Sequence, residues 1–206
     1  MAGDKLLIGK RRIQAYEILH KLGQILKNEG VPYILEAGTL LGVIRENRLL
    51  PWDNDVDITI TSEWASSLLK IRSLLHQQGF RTKMRYYKQD MGTLYKNTPR
   101  ILKIQTRKCY FFKGESLVDI FIKYKNGDQY FWAVDDKNPV IKQCPDYFYD
   151  DQITYTFDGQ EFLVPKEFES YLEYHYGKNW RTPIKKWDFR MDDACIKTEL
   201  KSKNSF

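Results

Sequence analysis

The sequence predicts a single α+β domain, and three observations carry that prediction. The 206 residues, 42% hydrophobic and 15% aromatic, suffice for one domain with its own core. Two stretches repeat apolar residues at the three-and-four spacing of a helix. Several short apolar segments, bounded by Gly, Pro and Asp turn signals, read as strands. Helices interleaved with strands over one core make a mixed fold. No internal repeat, low-complexity tract or linker interrupts the chain, so residues 1–206 form one unit.

The elements follow in order. From Arg11 to Glu29, Ala15, Ile18, Leu19, Leu22, Ile25 and Leu26 build one apolar stripe, and Gly30 with Pro32 stops the helix. Tyr33–Leu35 is a short buried strand, broken at Gly38-Thr39, and Leu40–Arg45 is a short helix. A loop carries Pro51 and Trp52, and Val56–Ile60 alternates as a strand. Ser62–Gln78 is a second amphipathic helix, with a Ser cap, Glu63 in its first turn and Gly79 at its end. Phe80–Tyr87, Ile101–Thr106 and Leu117–Lys123 are strands. Ile153–Phe157 and Glu161–Val164 flank Asp158-Gly159, a hairpin signal, and Pro165 opens a last helix that Gly177 ends at Tyr176.

Composition narrows the class. Twelve Gly and seven Pro exclude collagen-like and linker-dominated chains, and the aromatic content excludes disorder. The excess of 33 Lys and Arg over 27 Asp and Glu leaves +6, compatible with an anionic partner or a merely basic surface. Cys109, Cys144 and Cys195 form no C-x-x-C pair and are odd in number. Without a secretory signal, free buried thiols in a reducing, cytoplasmic setting are expected. No apolar run reaches the length of a membrane span.

One segment concentrates chemistry. Gly38-Thr39 follows a buried strand and opens a helix, a turn whose N–H groups and hydroxyl suit a phosphate oxygen. After Arg45 comes Pro51-Trp52-Asp53-Asn54-Asp55-Val56-Asp57, with carboxylates at alternate positions. On a strand, Asp55 and Asp57 project to one side. Adjacent carboxylates repel one another unless a positive charge lies between them, and a hard divalent cation with oxygen preference, Mg²⁺ or Mn²⁺, meets that need. An isolated Asp-x-Asp is usually a solvated loop; the Gly-Thr turn, Arg45 and an apolar opposite strand face favour the functional reading.

These residues, with Val118-Asp119-Ile120-Phe121 downstream and Phe162, Val164-Pro165, Tyr171-Leu172, Tyr176-Gly177 and Trp180 toward the end, resemble the LicD family of the nucleotidyltransferase fold, which includes fukutin and fukutin-related protein. The resemblance covers nearly the whole chain. It implies a nucleotidyltransferase-like mixed sheet flanked by helices, with a small C-terminal hairpin and helix. It also implies a metal-dependent phosphotransferase that moves a phospho-alcohol (phosphocholine, ribitol phosphate or similar) from a CDP-activated donor to a hydroxyl of a glycan or related acceptor, releasing CMP. In that reading Asp55 and Asp57 hold the metal, and Asp119 is a further ligand or the base for the acceptor hydroxyl. Gly38 and Thr39 hold a phosphate oxygen, Arg45 grips the diphosphate, and Asp53 orients the loop. Trp52 either stacks on a base or headgroup or anchors the loop from within. Where many members have His-x-Gly after the Arg, this chain has Glu46-Asn47-Arg48.

Two alternatives stay open: a nucleotidyltransferase moving an NMP from an NTP to a small molecule, and an inactive basic binding domain. No contiguous Lys/Arg block speaks for nucleic acid. A choline donor would need an aromatic cage, for which Trp52, Tyr86, Tyr87, Tyr110, Trp132, Trp180 and Trp187 offer material, with core packing the default. Glu36, His20, His76 and His175 read as structural, and Cys109 lacks a neighbouring base. Arg100, Lys103 and Arg107 offer a basic rim for phosphate, and Arg181, Lys185 and Lys186 acceptor contacts, with solvated basic faces the default for both.

Overall fold

The computed structural model describes residues 6–108, 112–135, 137–184 and 187–199. Cys109, Tyr110, Lys185 and Lys186, considered above, lie outside the described residues.

The expected first helix is present as α1 (Gly9–Asn28), burying Ala15, Ile18, Leu19, Leu22, Gly23 and Leu26. At Gly23 a Cβ would lie 2.6 Å from Gln160 Nε2 and 3.0 Å from the Tyr33 hydroxyl, so a larger residue would displace the Gln160 side chain. β1 (Ile34–Leu35) leads into α2 (Ala37–Glu46), and β2 (Val56–Thr61) follows the acidic loop. Gly38-Thr39 therefore lies inside the first turn of α2 rather than before the helix.

The second helix differs from expectation. Ser62–Ser67 is a 3₁₀ turn, and α3 covers only Leu68–Gln77. No side chain caps either segment. Serines compete with the backbone for hydrogen bonds and weaken an α-helical start, and the Glu63 carboxylate accepts instead from Thr61 Oγ1 at 2.9 Å.

β3 (Arg81–Tyr86) is slightly shorter than expected and β4 (Pro99–Lys108) longer, while β5 (Phe112–Asn126) has about twice the expected length. β6 (Gln129–Val134), β7 (Val140–Pro145), the short α4 (Tyr147–Asp150) and β10 (Ile196–Glu199) have no counterpart in the sequence reading. β6 is buried along four consecutive positions, so it shows no alternation to read. β8 (Gln152–Phe157) and β9 (Gln160–Pro165) form the expected hairpin, turning at Asp158 and Gly159 with φ of +48° and +73°. Pro165 ends β9 instead of opening a helix, and α5 spans Phe168–Tyr176. Its missing N–H costs nothing at a hairpin end.

Eight strands form one mixed sheet in the order β1-β2-β5-β6-β7-β10, with β4 branching from β5 and β3 pairing on β4. The 15-residue β5 makes this possible: its first part lies between β2 and β4, and Tyr124–Asn126 pairs with β6. The β2–β5 pair is parallel, with Val56, Ile58 and Ile60 opposite Val118, Ile120 and Ile122. Those six side chains are buried together with the stripes of α1, α2 and α3. Alternation then sends Asp57, Thr59 and Thr61, and likewise Asp119, Phe121 and Lys123, to the other face. No helix among the described residues is long and apolar enough to cross a membrane.

Candidate active site

The parallel register places Asp57 directly opposite Asp119. Asp55, just before β2, joins them: oxygens of Asp55, Asp57 and Asp119 all lie within 4.8 Å of one another. Like charges at that separation favour protonation, and burial adds to the effect. Burial and the charges of Asp119 and Asp53 push Asp55 up to about 7, against the opposing pull of Lys103 and Arg11. Asp57 is raised well above the ordinary carboxylate range by burial and by Asp55, Asp119, Asp53 and Glu36. Asp119 is raised by burial despite the Lys103 ammonium.

Lys103 stands across from Asp119 on β4 and donates to Asp119 Oδ2. The other oxygen, Oδ1, is buried without a partner. A set of three converging carboxylates, mutually repelling and with an orphaned buried oxygen, fits a hard divalent cation.

The loop is held from three sides. Leu7 donates to the Asp53 carbonyl at 2.7 Å. Arg11 of α1 pairs with Glu115 and donates to the carbonyls of Asn54 and Ser116. Thr39 Oγ1 accepts the Asp57 N–H at 2.9 Å, tying β2 to α2. Thr39 is thus a buried joint of the acidic strand, and its hydroxyl already has one backbone partner.

Gly38 is the other joint. A Cβ there would lie 2.2 Å from Asp53 Oδ2, so only glycine admits the Asp53 carboxylate beside the start of α2. That carboxylate complements the helix N-terminus, while burial raises its pKa. The space beside Gly38, expected for a phosphate oxygen, is occupied by the Asp53 carboxylate.

Arg45 is not an open fork. Its Nε and Nη2 donate to Glu46 Oε1 at 3.1 and 2.7 Å, and Nη1 donates to the Trp180 carbonyl at 3.2 Å. Arg48 takes the second oxygen of the same Glu46 at 2.7 Å. Trp52 is 51% exposed, which removes the buried-anchor reading.

Several residues read as bland have defined roles in the structure. Lys103 faces the carboxylates and Arg100 is buried and donates to the Ala133 carbonyl, so these two are not a solvated face, whereas Arg107 is exposed and donates to the Phe80 carbonyl. Glu36 caps neither strand nor helix with its side chain. It is buried and accepts from Lys123 Nζ at 2.7 Å and from the Tyr171 hydroxyl at 2.5 Å. Lys123, fully buried, sits 3.6 Å from the Trp132 ring centroid and 4.3 Å from that of Tyr149. Trp132 thus encloses this chain's own ammonium. His20 lies 3.2 Å from Asp158 and His76 2.8 Å from Thr82 Oγ1. Arg181 pairs with Glu169. Sequence reasoning missed Arg11 and treated Lys103 as surface; the one available signal was that Lys103 sits amid an otherwise apolar strand, Ile101-Leu102-Lys103-Ile104.

A mixed sheet whose parallel neighbours gather three carboxylates beside a helix start defines a nucleotidyltransferase-type domain. The chain belongs to the LicD/FKTN/FKRP nucleotidyltransferase-domain family, whose model matches residues 30–167. It is 29% identical over 190 residues to the mouse ribitol-5-phosphate transferase FKTN, covering 91% of this chain and 37% of that protein. It is 26% identical over 160 residues to the uncharacterized protein RT0683 of Rickettsia typhi, covering 76% of this chain and 43% of that protein. The human ribitol 5-phosphate transferase FKRP is 23% identical over 158 residues, 74% of this chain and 29% of that protein. The chain therefore spans less than half the length of these relatives. Among solved structures, the antibiotic-resistance factor ANT(2'')-Ia aligns with a TM-score of 0.45 at 13% identity, over 89% of this chain and 82% of that one.

Proposed function

We propose that this chain is a phosphotransferase that takes a phospho-alcohol from a CDP-activated donor, passes it to a hydroxyl of a glycan or related acceptor, and releases CMP. The observation that carries the reading is the convergence of Asp55, Asp57 and Asp119 within 4.8 Å. Membership of a family whose relatives include proteins named ribitol-phosphate transferases supports ribitol phosphate as the first unit to test.

Asp55, Asp57 and Asp119 would hold Mg²⁺ or Mn²⁺. When bound, such an ion supplies charge neutralisation for the diphosphate and for the departing CMP. The rest of the work is positioning. The N–H groups in the first turn of α2 have no partner within the helix and point toward anions. Glu46 is shared by Arg45 and Arg48, so Arg45 can turn to a diphosphate while Arg48 keeps the carboxylate company. The planar guanidinium suits that contact. Trp52, being exposed, offers a stacking surface for a base or headgroup. Asp119 keeps one oxygen on Lys103 and has the other unpartnered, so it either completes the metal site or, where the ion rests on Asp55 and Asp57, accepts the proton of the attacking hydroxyl.

The test is product analysis with CDP-ribitol, CDP-glycerol and CDP-choline in the presence of Mg²⁺ and a panel of glycan hydroxyl acceptors. Release of CMP together with a phospho-alcohol-modified acceptor is expected. Pyrophosphate and an NMP-modified product formed from an NTP would replace this reading by nucleotidyl transfer. Metal-independent binding of polynucleotide without turnover would replace it by a binding role.

A further inference from the structure

Away from the carboxylates, three soft ligands meet. Cys144 lies on β7, His175 on α5 and Cys195 at the entry to β10, all buried, and one ligand atom of each lies within 4.8 Å of the others. The two sulfurs are 3.6 Å apart, and Cys195 Sγ is 3.3 Å from His175 Nε2. A tetrahedral zinc with Zn–S of about 2.3 Å and Zn–N of about 2.0–2.1 Å holds its thiolates about 3.8 Å apart and thiolate and imidazole about 3.5 Å apart. The observed edges fall within a few tenths of an ångström of these. A disulfide would need sulfurs at about 2.05 Å, and would leave the imidazole without a purpose.

The surroundings match as well. His175 Nδ1 lies 3.1 Å from Asp193 Oδ1, the arrangement in which a metal-bound imidazole donates its other N–H to a carboxylate. Asp193 is fixed in turn, accepting from the Cys195 N–H at 2.9 Å and from Lys142 Nζ at 2.5 Å. Two thiolates and one divalent ion are neutral together, while the adjacent buried charges close on themselves as Lys142–Asp193 and Lys123–Glu36. No uncompensated charge is left inside.

We infer that Cys144, His175 and Cys195 form a three-ligand zinc site, with Asp193 orienting the imidazole and one position left for water. The ion would staple the C-terminal segment to β7 and α5. The need is local: β10 has four residues and pairs with β7 through a shifted register, a weak attachment for a sheet edge. The sulfur and nitrogen set selects a different ion from the all-oxygen set of Asp55, Asp57 and Asp119, so the two sites are tested separately and this one does not depend on the proposed transfer reaction.

The experiment is elemental analysis of the full chain after dialysis against a weak chelator, paired with the visible spectrum of the Co²⁺-exchanged protein. One zinc per chain, released by a thiol-directed mercurial, and thiolate-to-cobalt charge-transfer bands are expected. Cys144→Ser and Cys195→Ser are expected to lose the zinc and Asp57→Asn to keep it. Should the cysteine variants fail to fold, Asp193→Asn decides, since it removes no ligand and is expected to weaken zinc binding about 10–100-fold. A wild-type chain that neither carries nor takes up Zn²⁺, that lacks the cobalt bands, or whose intact mass shows a Cys144–Cys195 disulfide overturns the inference.

Discussion

Asp57 and Asp119 occupy the same register position on the parallel strands β2 and β5, so the backbone pairing itself presses two carboxylates together. Asp55 extends the pair, and among the described residues Lys103 is the cation that pairs directly with Asp119. Stability has been given up here, and a bound cation would restore it.

Turnover is the first consequence. Asp55→Ala and Asp57→Ala are each expected to lower the rate of CMP release by about 10²–10³-fold or more, the scale for removing an electrostatic group aimed at developing charge. Both variants should fold, because the lost groups are mutually repelling. Steady-state rates with a CDP-alcohol and saturating Mg²⁺ check this, and wild-type rates in both variants would refute it.

Stability against pH is the second. Unfolded aspartates titrate near about 3.9, whereas in the fold Asp55 is pushed up to about 7 and Asp57 is raised well above the ordinary carboxylate range. Between these values the folded chain binds more protons than the unfolded one. The contribution of the cluster to metal-free stability is therefore fully present below about 4 and lost as pH rises through about 7. Asp57→Asn should raise the metal-free Tm at pH 8, by about 2–4 °C for each kcal/mol of repulsion relieved in a chain of this size, and should abolish the stabilisation by added Mg²⁺. Thermal melts of both proteins from pH 5 to 8 measure the difference.

Lys103 competes with any cation for Asp119. Lys103→Met is expected to tighten Mg²⁺ binding several-fold, about 1.4 kcal/mol corresponding to tenfold, as read by titration calorimetry. It should also lower the metal-free Tm above pH 7, where Asp119 loses its counter-charge.

The buried Lys123–Glu36 pair, joined by Tyr171, holds the C-terminal layer to the sheet on the same face as the carboxylates. Lys123→Met alone should cost about 3–5 kcal/mol, the scale for stranding one partner of a buried pair. The double variant Lys123→Met with Glu36→Gln should recover much of that. Urea denaturation of the set provides the comparison.

How far the sequence reading reached depended on whether a signal was local. The α1 stripe and the Asp158-Gly159 hairpin are written within a few neighbouring residues, and both stand in the structure. Asp55 and Asp57 were legible because alternate positions on a strand share a face. Asp119 entered through family resemblance, since its place depends on strand pairing across 62 positions of register. Lys103 was lost for the same reason, its meaning coming only from a β4–β5 register that shifts twice. Gly38 was noticed, but its close neighbour proved to be Asp53, a contact that only the folded loop creates. Cys144 and Cys195, 51 residues apart, have no motif spacing to announce them. β6 escaped because a strand buried at four consecutive positions has no polar face to set its period, and β7 because its buried Lys142 breaks the apolar pattern.

The most direct measurement is an anomalous-difference map from crystals of the wild-type protein soaked in Mn²⁺. A peak coordinated by oxygens of Asp55, Asp57 and Asp119, absent from Asp57→Asn crystals, is the predicted result. An empty map at that cluster under saturating Mn²⁺, or a peak bound by none of these carboxylates, would contradict the account.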